Sequence, residues 1–109
     1  ACHVPSMTTS SPVRPSLDGR TVHLYSDLLL HDLGSEVEGV CGPSASPTEL
    51  RTAPLMGLRH RPFLMHDAGA SNLEAVVVRH GGEAAASRDR FRGLSADARQ
   101  ALLRFLGTL

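Results

Sequence analysis

The sequence predicts an all-α domain with long irregular loops, on three observations. Helix start and stop signals recur through the last forty residues. The segments before them are broken repeatedly by Pro, Gly and Ser. The final segment carries an apolar stripe at helical spacing, Ala98, Ala101, Leu102, Phe105 and Leu106.

In chain order, residues 4–20 read as loop, with Asp18-Gly19 a tight turn. Thr21 to Tyr25 reads as a short extended piece. Ser26 or Asp27 then caps a short helical turn through Leu28-Leu29-Leu30-His31, stopped by Gly34. Residues 34–48 form an acidic, exposed loop. Thr48 to Leu58 reads as a short helix or irregular turn around Pro54, and Arg59 to Ala70 as irregular. Ser71-Asn72-Leu73-Glu74 has the pattern of a capping box, in which the Ser71 hydroxyl accepts from the Glu74 amide and Glu74 reaches back. The helix it starts runs to Gly81-Gly82, and its three successive valines need packing to hold them helical. A second helix spans about Glu83 to Arg92 and ends at Gly93. Ser95 caps the last, Ala96 to Leu106.

The 109 residues suffice for one domain, 1–109, with eleven basic against eleven acidic side chains. Zero net charge argues against a nucleic acid or an anionic membrane as main partner. No apolar run approaches the roughly 18–20 residues of a membrane span. With no Trp, one Tyr and three Phe, the chain is short of the aromatic rings that usually supply much of a small core. A large flat apolar cofactor would fill that gap.

Cys2-His3 reads as the tail of C-x-x-C-H, the c-type haem attachment motif. There, thiols add to the haem vinyl groups and the histidine supplies an axial nitrogen to iron. Of the six histidines, His80 stands out: it ends a capped helix before two glycines, where backbone can pass close to a bulky neighbour. From there its imidazole can reach a metal on the face opposite His3. His66 lies in an irregular turn, His60 between two arginines reads as exposed, and His23 and His31 stay open. Met7, Met56 and Met65 are the other soft axial candidates. Arg51, Arg59 and Arg61 cluster in the middle of the chain, where they suit carboxylate partners. A zinc site from Cys2, His3, Cys41 and His66 lacks the paired close spacings of structural zinc.

These residues resemble the C-terminal haem domain of the bacterial di-haem oxidoreductase family, some of whose members are described as predicted thiol oxidoreductases. The family is related to the di-haem cytochrome c peroxidases. Ala1-Cys2-His3-Val4-Pro5 resembles the end of its second C-x-x-C-H. The blocks Tyr25 to Gly34, Leu50 to Leu58, Phe63 to Gly69, Asn72 to Ala75 and Arg79-His80-Gly81-Gly82-Glu83-Ala84 follow in the family's order. The resemblance implies a class I cytochrome c-like fold and a covalently bound haem c. It makes Cys2 a thioether anchor, His3 and His80 the iron ligands with Met65 as alternative, Arg51 a propionate partner and His66 a neighbour of the haem edge. It further implies electron transfer in a periplasmic di-haem oxidoreductase or peroxidase-like protein. The partners would be an N-terminal haem domain of a longer chain and a redox protein. On this reading the chain is an N-terminally truncated piece, acting by itself as an electron-transfer domain. The first thioether cysteine is absent, Met56 stands where an aromatic is expected, and Cys41, read as a free thiol, has no family role. The rival readings are a cofactor-free helical interaction fragment and a small zinc-binding module.

Overall fold

The computed structural model describes residues 1–37, 39 and 42–109. Cys41 lies outside them, so its reading as a free thiol has no structural counterpart. The described chain is not all-α. Two short antiparallel sheets accompany three helices, an α+β mix. In the first sheet, β1 (Met7–Thr8) pairs with β2 (Thr21–Val22) around a turn of 3-10 helix at Pro15–Leu17. In the second, β3 (Leu30–Asp32) pairs with β4 (Glu49–Arg51), with His31 opposite Leu50.

The reason for the departure is local. Both cap candidates do bond the backbone just beyond them: the Leu28 amide donates to Ser26 Oγ at 2.9 Å, and the Leu29 amide to Asp27 Oδ1 at 3.0 Å. They close turns two residues on instead of opening a helix, the competition that short polar side chains offer the backbone. Leu28 then takes left-handed backbone (φ 61°), which no right-handed helix continues, and the chain leaves as β3. Tyr25 is also left-handed (φ 53°). Ser26, fully buried between them, donates to the Thr52 carbonyl at 2.8 Å and so ties this turn to the end of β4.

The helical part follows the sequence closely. Helix α1 (Leu73–Arg79) is capped by Asn72, whose side chain accepts from the Ala75 amide at 2.9 Å. The cap is thus one residue later than the Ser71 capping box, and Glu74 pairs with Arg99 of the last helix instead, at 3.3 Å. Helix α2 (Ala85–Arg92) is preceded by a 3-10 turn at Gly82–Ala84 and closed by Gly93. Helix α3 (Ala96–Leu106) has its Ser95 cap as expected.

Packing is thin. Val37, Leu58, Ala70 and Phe91 are the buried apolar side chains among the described residues. The radius of gyration is 15.4 Å, against about 13 Å for a packed chain of this length. The accessible surface is 7319 Å², against roughly 5,800 Å² for a compact chain of this mass. Much of the apolar stripe of α3 stays uncovered: Leu102 and Phe105 are exposed, and Leu102 and Leu106 line a cavity. Phe105 meets Tyr25 edge-on, ring centres 5.9 Å apart.

Candidate functional site

That cavity, of about 970 Å³, lies among the Cys2-His3 segment, β3, β4 and all three helices. Its walls are largely apolar, with Leu the commonest residue, interrupted by histidines and arginines. Cys2, His3, Arg51, Met65, His66 and His80, the site residues chosen from sequence, all line it. A separate hollow of about 550 Å³ beside Arg59 and Asn72 contains none of the histidines, so the larger cavity is the candidate site.

Four histidines line it, His3, His31, His66 and His80, and two of them, His3 and His80, have ring centres 6.4 Å apart and planes tilted by 55°. Each of these two is anchored through the same nitrogen. His3 Nδ1 donates to the Tyr25 carbonyl at 2.9 Å, and His80 Nδ1 to the Val76 carbonyl at 2.7 Å. A backbone acceptor on Nδ1 selects the tautomer whose Nε2 carries the lone pair. By area His3 is exposed, because it borders the cavity, but protein encloses it otherwise. That enclosure pushes its pKa below the ordinary imidazole value, opposed by the bond to Tyr25. The neutral ring is the form a metal binds. Burial, then the Asp27 charge, raises the Cys2 thiol, so it stays protonated.

The other candidates differ in setting. Arg51 is exposed at the end of β4, opposite Leu30. Met65 is half-buried in left-handed backbone (φ 68°), and His66 is exposed. The glycines after His80 serve a purpose other than closeness to a cofactor. A Cβ on Gly81 would stand 2.7 Å from the Leu33 carbonyl oxygen, and one on Gly82 would run into that of Asp32. They let the His80 turn lie against the end of β3.

Three further residues escaped the sequence reading. His31 donates from Nε2 to Asp27 and from Nδ1 to Glu83, each at 2.8 Å. Glu83 also accepts from the Asp32 amide at 3.0 Å. The signal was present, since Asp27, His31 and Glu83 all fall inside the blocks that carry the family resemblance. Nothing in the linear order joins residues 51 or more positions apart. Cys2, Asp27 and His31 lie close enough for a metal, with ligand atoms within 4.8 Å of one another. However, both His31 nitrogens already donate to carboxylates, which leaves it no lone pair.

The pairing predicts a pH profile. Glu83 first, then Asp27, raises the His31 pKa, while hydrogen bonds to the Leu29 amide and then to His31 hold Asp27 at about 2. The bond from His31 lowers Glu83. With its folded value raised, His31 contributes stability that is full below its unfolded value near 6.5 and fades as pH rises through the folded one. The two carboxylates contribute above their unfolded values of 3.8 and 4.5, and lose this as pH falls through the folded ones. His3, with its value lowered, costs stability as pH drops below 6.5. The thermal midpoint of the metal-free chain is therefore expected to peak near pH 6.5 and decline on both sides. His31→Gln should remove the alkaline decline, and equal alkaline slopes in both proteins would refute this assignment.

Fold and site together describe a small α+β domain arranged around a largely apolar cavity in which two imidazoles, those of His3 and His80, lie close together. The whole chain, residues 1–109, matches the family model described as "Di-haem oxidoreductase, putative peroxidase". It therefore belongs to the di-haem oxidoreductase family, and membership implies haem binding. No curated protein and no solved structure matches it. Among the described residues no helix is long and apolar enough to cross a membrane.

The cavity suits such a group. An imidazole nitrogen bonds a metal at about 2.0 Å, and His3 and His80, with ring centres 6.4 Å apart, are near enough that both could hold one ion between them.

Proposed function

We propose that the chain is an electron-transfer domain binding a c-type haem, with His3 and His80 as its two axial ligands. The separation of the two rings, each with Nδ1 tied to a backbone carbonyl, is the observation that carries this reading. Haem bound here supplies a one-electron iron centre. Two protein ligands leave no open position for substrate, which favours relay over turnover. Cys2 is the covalent anchor through a thioether. Arg51 offers its guanidinium to a propionate, a charge-assisted pairing, and His66 borders the macrocycle's edge. Met65 on the same cavity is the alternative to His80. The apolar walls exclude water and so limit reorganisation around the iron when its charge changes.

The domain's partners on this reading are a second haem domain, as the family's di-haem description calls for, and a redox partner protein. The compartment is the periplasm, where C-x-x-C-H sites are loaded. Two imidazoles set a lower potential than a histidine–methionine pair.

His80→Ala tests the ligand assignment. In haem-loaded protein it is expected to abolish the low-spin spectrum and open the iron to added cyanide or imidazole. An unchanged low-spin spectrum would exclude His80, and loss of that spectrum in Met65→Ala instead would assign the position to methionine.

A further inference from the structure

The two imidazoles sit on segments far apart in the chain, and what fixes their spacing is neither helix packing nor the sheets alone. A run of hydrogen bonds crosses from one to the other. The 25–27 turn holds the Cys2-His3 segment twice, through the His3 Nδ1 bond to the Tyr25 carbonyl and through the Asp27 amide, which donates to the Cys2 carbonyl at 2.9 Å. From the same turn the Asp27 carboxylate takes His31 Nε2 at 2.8 Å. His31 passes the link through Nδ1 to Glu83, again at 2.8 Å. Glu83 follows His80 by three residues, and its other oxygen takes the Asp32 amide at 3.0 Å. The charged bridge therefore ties the His3 side of the cavity to the His80 side.

Resting on the reading of His3 and His80 as the axial pair, we propose that Asp27, His31 and Glu83 form a positioning bridge that sets the distance between those two imidazoles. None of the three touches the iron in this scheme. The bridge acts by holding two backbone segments in register. The demand is strict, because a ligand constellation works only when held within about 0.5 Å of its productive geometry. Helix packing does not supply that tolerance here, since the core holds few buried side chains. Charge-assisted bonds are shorter than neutral ones and roughly twice as strong. Two of them in series on one imidazolium suit a spacer. A small metal site from Cys2, Asp27 and His31 is the competing use of the same atoms, and the engaged state of both His31 nitrogens speaks against it.

The titratable and charged groups around His31 are its partners Asp27 and Glu83, the neutral Cys2 thiol and His3 beside them, Asp32 on its own strand, and Glu49 and Arg51 on either side of Leu50 across on β4.

The test uses the full chain loaded with ferric haem, comparing wild type with Glu83→Gln, His31→Gln and His80→Ala. Glu83→Gln keeps an acceptor for the Asp32 amide and removes only the charge. Asp89→Asn, which removes a carboxylate paired with Arg88, is the control. Haem affinity by absorbance titration and the low-spin electron paramagnetic resonance signal are read together, with far-UV circular dichroism to check the helices. Glu83→Gln and His31→Gln are expected to weaken haem binding on the order of tenfold or more, as loss of a ligand's supporting partner does. They should also broaden or split the low-spin signal, because its shape follows the relative tilt of the two rings. Asp89→Asn should change neither. If Glu83→Gln does not fold, His31→Gln decides alone. Wild-type affinity and signal in both bridge variants, with the signal lost in His80→Ala, overturns the bridge while the ligand pair stands. A low-spin signal that survives His80→Ala overturns the ligand pair and the bridge with it.

Discussion

Haem loading is expected to raise the thermal midpoint of this chain by about 10–20 °C. A ligand present at a hundred times its dissociation constant stabilises the state it binds by about 2.7 kcal/mol. In a domain near this size each kcal/mol moves the midpoint by about 4–8 °C. The physical ground is the thin core: four buried apolar side chains among the described residues and a cavity of about 970 Å³ in the middle of the fold. The apolar walls of that cavity face water until something flat and apolar covers them, and covering apolar surface is worth about 25 cal/mol per Å². Scanning calorimetry with and without ferric haem measures the shift. The metal-free chain should keep its helical far-UV signal, show weak near-UV ellipticity and bind a hydrophobic dye. A sharp melt at the same temperature without haem would favour the cofactor-free helical fragment instead.

Phe91→Ala should cost about 3–5 kcal/mol, the usual penalty for emptying a buried aromatic site. For a chain with so little other core this is enough to remove the cooperative transition, since whole domains are stable by only about 5–15 kcal/mol. Phe91 on α2 is 4% exposed, and the Arg99 guanidinium lies over its ring at 5.4 Å. Arg99 in turn bonds Glu74 of α1 at 3.3 Å and the Arg92 carbonyl at 3.0 Å. One ring therefore organises the junction of all three helices. The buried Arg99 Nε has no hydrogen-bond partner, so removing the ring beneath it leaves a charged side chain with less to hold it. Urea unfolding followed by circular dichroism gives the result directly. A midpoint within experimental error of wild type would mean that the helices are joined elsewhere.

The C-terminal helices could be read from sequence because their signals are local. Ser95, Gly93 and the spacing of apolar residues act within one or two turns, and the structure has α3 at the expected bounds. Where two cap candidates sit side by side, the structure uses Asn72 in place of Ser71, and Glu74 bonds Arg99 of α3. Most of the first half was misjudged for the opposite reason, apart from β2, Thr21–Val22, which falls in the stretch read as extended. Its strands are two or three residues long, too short for any alternation to register. Their existence depends on partners up to 21 residues away. Leu28-Leu29-Leu30-His31 has acceptable helical composition, and only the left-handed turn at Leu28 and pairing with β4 make it a strand.

By itself, then, the sequence determined the helices, the family and a set of site residues that all line one cavity, since these depend on residue types at short spacing. It could not determine that the fold is α+β, that Asn72 is the cap, or that His31 joins Asp27 to Glu83. The separation of His3 and His80 likewise belongs to the tertiary structure alone. Distances between residues 77 positions apart are set by how the intervening segments pack and bond, and a linear pattern holds no measure of that.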